Sequence, residues 1–78
     1  MLREQLASLL RRIVDEPEQV EVEEFDTASS TVFEVRVAQS DIGKVIGRQG
    51  RTARALRSLL AERGSHDDAH YEFEVVDD

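Results

Sequence analysis

The residues best suited to chemistry in this chain are Val45-Ile46-Gly47-Arg48-Gln49-Gly50-Arg51, an apolar run that enters a Gly-x-x-Gly turn flanked by cations. Glycines three apart carry no Cβ, so the backbone there can come very close to another molecule. Arg48 and Arg51 bring positive charge to the same place. A close-approach backbone with cationic flanks is what a phosphate-bearing strand requires, which makes a polynucleotide backbone the first ligand to consider.

The overall charge points the other way at first. The formal net charge is -7 over 78 residues. Its distribution reverses that impression. Between Arg36 and Gly64 there are seven basic residues (Arg36, Lys44, Arg48, Arg51, Arg54, Arg57, Arg63) and two acidic ones (Asp41, Glu62), a local net of +5. The rest of the chain carries -12. Within a Debye length of roughly 8–10 Å the local field outweighs the sum.

These cations need elements to hold them. Leu2, Leu6, Leu9, Leu10 and Ile13 recur at helical spacing and predict an amphipathic helix over about 2–14, stopped by Asp15-Glu16-Pro17. Val20 and Val22 alternate with Glu21 and Glu23 as a half-buried strand. Asp26-Thr27-Ala28-Ser29-Ser30 reads as a turn, and Phe33, Val35 and Val37 as the second strand of a hairpin. A short helix is expected over Ile42–Ile46, capped by Ser40 or Asp41. After the Gly47–Gly50 turn, a longer helix over Thr52–Arg63 would turn Ala53, Leu56, Leu59 and Leu60 inward. Gly64 would end it, and Ser65–Ala69 would follow as a polar linker. Tyr71, Phe73 and Val75 alternate with Glu72 and Glu74 in a last strand.

The order α-β-β-α-α-β implies one α+β domain over 1–78, in two layers, with a three-stranded mixed sheet and the helices on one face. The other face would carry Glu21, Glu23, Glu34, Glu72 and Glu74, relieved by Arg36. Such a face repels a polyanion, so binding is expected from the helical side. There is no cysteine, hence no disulfide framework and no Cys-based zinc site. An intracellular, cytoplasmic protein without a membrane segment is the natural expectation.

Val45-Ile46-Gly47-Arg48-Gln49-Gly50 between two helices resembles the Val-Ile-Gly-x-x-Gly signature of KH domains, in the bacterial type II order. The stretches Val14–Val22 and Asp41–Arg57 extend the likeness. Over essentially the whole chain it is similar to the KhpA family of small stand-alone KH proteins. The resemblance implies a binder of single-stranded RNA acting as an RNA chaperone or post-transcriptional regulator. It implies a partner of the KhpB type, with a KH and an R3H domain, linked to cell elongation and cell-wall homeostasis. A homodimer is the other association it allows. No cofactor is implied.

Carried onto these residues, the resemblance sets the Gly47–Gly50 backbone against phosphates, with Arg48 and Gln49 as outward donors. The N-terminus of the following helix favours the same anion, and Lys44, Arg51 and Arg54 add charge. Ile42, Val45 and Ile46, with the second-strand edge near Val35 and Val37, are the expected apolar floor for bases. Without an exposed aromatic there, stacking is expected to be weak and sequence preference modest. The pair Val45–Ile46 is also the expected apolar surface for a dimer.

Other readings carry less. No Ser/His/Asp arrangement or Walker sequence is present, so an enzyme is not expected. His66 with Asp67 and Asp68 lacks zinc-ligand spacing, and His70 reads as a strand-edge residue. A helix-turn-helix DNA binder would share the two helices and the glycine turn, but not the flanking strands. A protein-interaction subunit with little RNA binding of its own remains the principal alternative.

Overall fold

A computed structural model of the chain describes residues 2–77. Helix α1 (Leu2–Ile13) buries Leu6, Ala7 and Leu10 and carries Arg11 and Arg12 in its last turn, where cations oppose the helix dipole. Leu9 falls off this stripe and is exposed. A single turn at Pro17–Gln19 leads into β1 (Glu21–Asp26), which pairs antiparallel with β2 (Thr31–Arg36). The hairpin turn is closed by Thr27, whose Oγ1 accepts from the Ser30 amide at 2.9 Å.

Helix α2 (Ile42–Ile46) and helix α3 (Arg51–Asp67) carry the chain back to β3 (Tyr71–Val75). Strand β3 lies parallel to β2, giving the order β1-β2-β3 and the expected mixed sheet. Leu6, Leu10, Val22, Phe33, Val35, Val45, Leu56, Leu60 and Phe73 belong to one core cluster between sheet and helices.

Three expectations need correction. First, Gly64 does not end α3. It lies buried inside the helix, where an added Cβ would stand 2.5 Å from the Ala69 carbonyl oxygen. The helix instead continues through Ser65-His66-Asp67 and stops at Asp68, which is left-handed at φ 55°. The Ala69 amide then donates back to the Gly64 carbonyl at 2.8 Å, the wrap that closes many helix C-termini. Second, Leu59 is not inward but 56% exposed. Ala53, Leu56, Leu60 and Gly64 already form the buried stripe, and Leu59 lies about 100° from Leu60 around the axis. Third, β2 is the central strand, so it offers no free edge near Val35 and Val37. The open edges of the sheet belong to β1 and β3.

The outer sheet face is acidic as expected. Glu23, Glu34 and Glu74 stand in register across all three strands. Arg36 lies opposite Glu21 and 3.5 Å from Glu34. Phe25, opposite Val32 on the same face, is 47% exposed.

Candidate nucleic-acid interface

Every residue of the glycine turn lies at the junction of α2 and α3. Gly47 terminates α2, its amide donating to the Gly43 carbonyl at 2.8 Å. Its φ of 82° and ψ of 166° fall in a region that is essentially restricted to glycine. A Cβ there would also collide with the side chain and amide nitrogen of Thr52. Gln49 is left-handed at φ 56° although it is not glycine, and Gly50 follows at φ 74°. The Gly50 amide donates across the turn to the Gly47 carbonyl at 3.0 Å. This sequence of dihedrals folds the loop into a tight bend of its own rather than a straight run between helices.

Helix α3 starts immediately afterwards. Its N-cap is Gly50, no side chain caps it, and its first turn holds no acidic residue. A 17-residue helix thus presents the positive end of its dipole without a built-in anion. Lys44, Arg48, Gln49, Arg51 and Arg54 are all exposed around it. Lys44 Nζ lies 3.5 Å from Asp15 Oδ2, an exposed pair of small energetic weight. Arg54 Nη2 donates to the Gln49 carbonyl at 2.9 Å.

The apolar residues divide. Val45 is 0% exposed and belongs to the core, so it supports α2 from beneath and leaves the surface to others. Ile46 is 41% exposed beside the loop. The pair therefore does not form the joint apolar surface expected for a dimer. Ile42 and Val37 do come together, in a cleft of about 480 Å³ whose rim includes Glu18, Glu21 and Arg36. A second channel of about 240 Å³ runs between α3 and the open edge of β3, lined by Arg57, Ala61, Tyr71 and Phe73 among others. There the Arg57 guanidinium sits 5.0 Å from the centre of the Phe73 ring.

Asp41 is the residue that sequence reasoning misplaced. An aspartate before a helix suggests an N-cap, yet its side chain makes no capping bond. Instead it is 1% exposed and accepts the amides of Asp15 at 3.1 Å and Glu16 at 3.0 Å. The end of α1 is thereby tied to the start of α2. The signal was present in the Asp15-Glu16-Pro17 stop, whose amides need an acceptor once the helix ends.

At the far end of α3, Asp67 accepts from Tyr71 Oη at 2.8 Å and from Arg63 Nε at 2.9 Å. The tyrosine hydroxyl, then the arginine, hold the carboxyl below its ordinary range, and the same bond raises the Tyr71 hydroxyl above its own. Among the described residues no cluster of three or more His, Asp or Glu is placed to hold a metal ion. Among them too, no helix is long and apolar enough to cross a membrane.

A family described as the KH domain of KhpA/KhpB matches residues 3–75. The chain is 36% identical to the RNA-binding protein KhpA of Chlamydia trachomatis serovar D, covering 99% of each chain. It is 39% identical to that of Treponema pallidum, over 99% of this chain and 96% of the relative. The likeness to the RNA-binding protein KhpA of Streptomyces coelicolor reaches 50% over 82% of this chain and 81% of the relative. No solved structure matches the chain.

Proposed function

The chain belongs to the KhpA/KhpB family of KH domains, a non-enzymatic kind, and from that premise we propose that it binds single-stranded RNA by gripping the backbone with the Gly47–Gly50 loop. The observation that carries this reading is the uncapped, acid-free N-terminus of α3 behind a glycine bend with exposed Arg48, Gln49 and Arg51. Phosphate oxygens supply the negative charge which that helix end lacks. KH loops hold about four nucleotides in this manner. Lys44 flanks the same anion, while Ile42 and Ile46 offer apolar surface to sugars and bases.

Charge selects the path of the bound strand. The cleft at Ile42 and Val37 is rimmed by Glu18 and Glu21. The channel between α3 and the β3 edge has Arg57 in its wall, and Glu72 is the one acidic residue that lines it. A polyanion follows the second. Arg57, stacked on Phe73, then offers a flat cationic surface where a base can lie.

A regulatory or chaperone role in the cytoplasm, with consequences for elongation and the cell wall, is the cellular reading that the family suggests. A second KH protein, whether a KhpB-type partner or another copy of this chain, fits the leucine groove between α1 and α3. Leu9 and Leu59 are exposed there above Leu6, Leu56 and Leu60. None of the residues lining that groove belongs to the glycine loop, so partner and RNA use different side chains.

The test is the double substitution Arg48→Asp with Gln49→Asp, assayed by fluorescence anisotropy on a labelled single-stranded oligoribonucleotide. Losing two polar phosphate contacts and adding two repelling charges lowers affinity by at least about a hundredfold. Thermal unfolding stays nearly unchanged, since both side chains are exposed. Undiminished binding would falsify the loop clamp. For the unmodified protein, contact with about three phosphates gives a slope of log affinity on log salt near -2.

A further inference from the structure

Arg54 turns its guanidinium back onto the backbone of the loop itself, whereas Lys44 reaches Asp15. Nη2 donates to the carbonyl of Gln49 at 2.9 Å. Within the same peptide unit, the amide of Gly50 donates to the Gly47 carbonyl at 3.0 Å. A trans peptide points its carbonyl and amide in opposite directions, so these two bonds hold the Gln49–Gly50 plane from both sides. That plane lies between two left-handed residues, Gln49 at φ 56° and Gly50 at φ 74°. Left-handed backbone is unfavourable for a residue with a Cβ, so Gln49 keeps it only where neighbouring bonds determine it.

We propose that Arg54 is a positioning residue for RNA, fixing the Gln49–Gly50 peptide so that the loop meets the strand already in its bound form. The proposal rests on the loop-clamp reading and adds to it a division of labour among the arginines. Arg51 acts on phosphate through its charge. Arg54 acts through the loop. Its effect on affinity is then a population effect: if only a fraction of molecules holds the competent loop, apparent affinity falls by that fraction.

The two roles separate in the salt dependence. Removing a phosphate contact makes the salt slope shallower by about 0.7 for a single strand, whereas loosening the loop leaves the slope where it was. Full-length Arg54→Gln and Arg51→Gln are compared with the unmodified chain on a fluorescein-labelled, mixed-sequence oligoribonucleotide across a salt series. Hydrogen exchange at the Gly50 amide is followed in the same proteins without RNA. For Arg54→Gln the expected result is exchange faster by on the order of tenfold, and affinity lower by a similar factor. The slope should stay unchanged. Arg51→Gln should show the shallower slope and no change at Gly50.

A slope made shallower by Arg54→Gln overturns the proposal in favour of direct contact. Unchanged exchange at Gly50 overturns it, as does faster exchange with undiminished affinity. The clamp itself is judged separately by the Arg48→Asp, Gln49→Asp protein. If that protein binds normally, the loop is not the RNA site, whatever Arg54 does to its order.

Discussion

Gly43 and Gly47 sit one helical turn apart, and their substitutions should have opposite effects. At Gly47 the backbone lies where only glycine is at ease, and a methyl would meet Thr52. Gly47→Ala should cost about 1–3 kcal/mol from the backbone alone. At Gly43 the helix is ordinary, and nothing lies within 4 Å of an added Cβ. Gly43→Ala should therefore raise stability by about 0.5–1 kcal/mol through the helix-forming advantage of alanine. Thermal unfolding of the two proteins checks both signs, and a stable Gly47→Ala would show that the loop is not built as described. The glycines and arginines of the turn were legible from the sequence because their types are unusual at that spacing. What Arg54 and Arg57 touch was not. Those contacts depend on where the Gln49 carbonyl and the Phe73 ring come to lie, which no local pattern encodes.

Among the elements, the periodic ones were readable, as were the Asp15-Glu16-Pro17 stop and the hairpin turn, but the end of α3 was not. Helix α1, the hairpin strands and β3 each repeat apolar residues often enough to fix both type and inner face. The end of α3 misleads because glycine before a polar run resembles a helix stop, while here the glycine makes room for the returning chain at Ala69. The polar residues beyond it are recruited by Asp67, which links Arg63 on the preceding turn to Tyr71 on β3. This latch has a pH signature. A carboxyl whose pKa is lowered by folding contributes stability that is present above its unfolded value near 3.8 and lost as the pH falls through the folded one. The tyrosine hydroxyl, raised above 10.0, contributes below that value and is lost as the pH climbs through its folded pKa. Tyr71 is the single tyrosine of the chain, so its ionisation can be read by ultraviolet absorbance. In Asp67→Asn it should ionise at lower pH than in the unmodified protein; an unmoved titration would mean that the latch does not persist in solution.

For the molecule as a whole, the basic, acidic and leucine-rich surfaces occupy different places. The glycine loop and its arginines occupy one end of the helical layer, the glutamates cover the open sheet face, and the leucine groove lies between α1 and α3. Leu59→Glu tests the last of these. The side chain is over half exposed, so the fold should keep its melting temperature to within a few degrees. On the proposed docking of a second KH protein in this groove, its association should weaken by about tenfold or more in sedimentation, as expected for a charge placed in an apolar contact. Unaltered association would move the partner to another face. Sequence reasoning had placed this apolar contact at Val45–Ile46, because hydropathy does not reveal that one of two neighbours is consumed by the core.

The parallel pairing of β2 with β3 joins Thr31 to Tyr71 and Phe33 to Phe73, residues 40 positions apart. Contacts so distant along the chain form late, because the loop between them must close before any of its cost is recovered. The glycine loop lies inside that segment, and α3 docks through Phe73 and the Ala69 turn, which are synthesised after it. A growing chain that has already emerged as far as Arg51 therefore still lacks the framework that holds this loop. On the loop-clamp proposal, competence for RNA arrives with β3, so that capture by a chain still short of that strand is disfavoured by the order in which the fold closes.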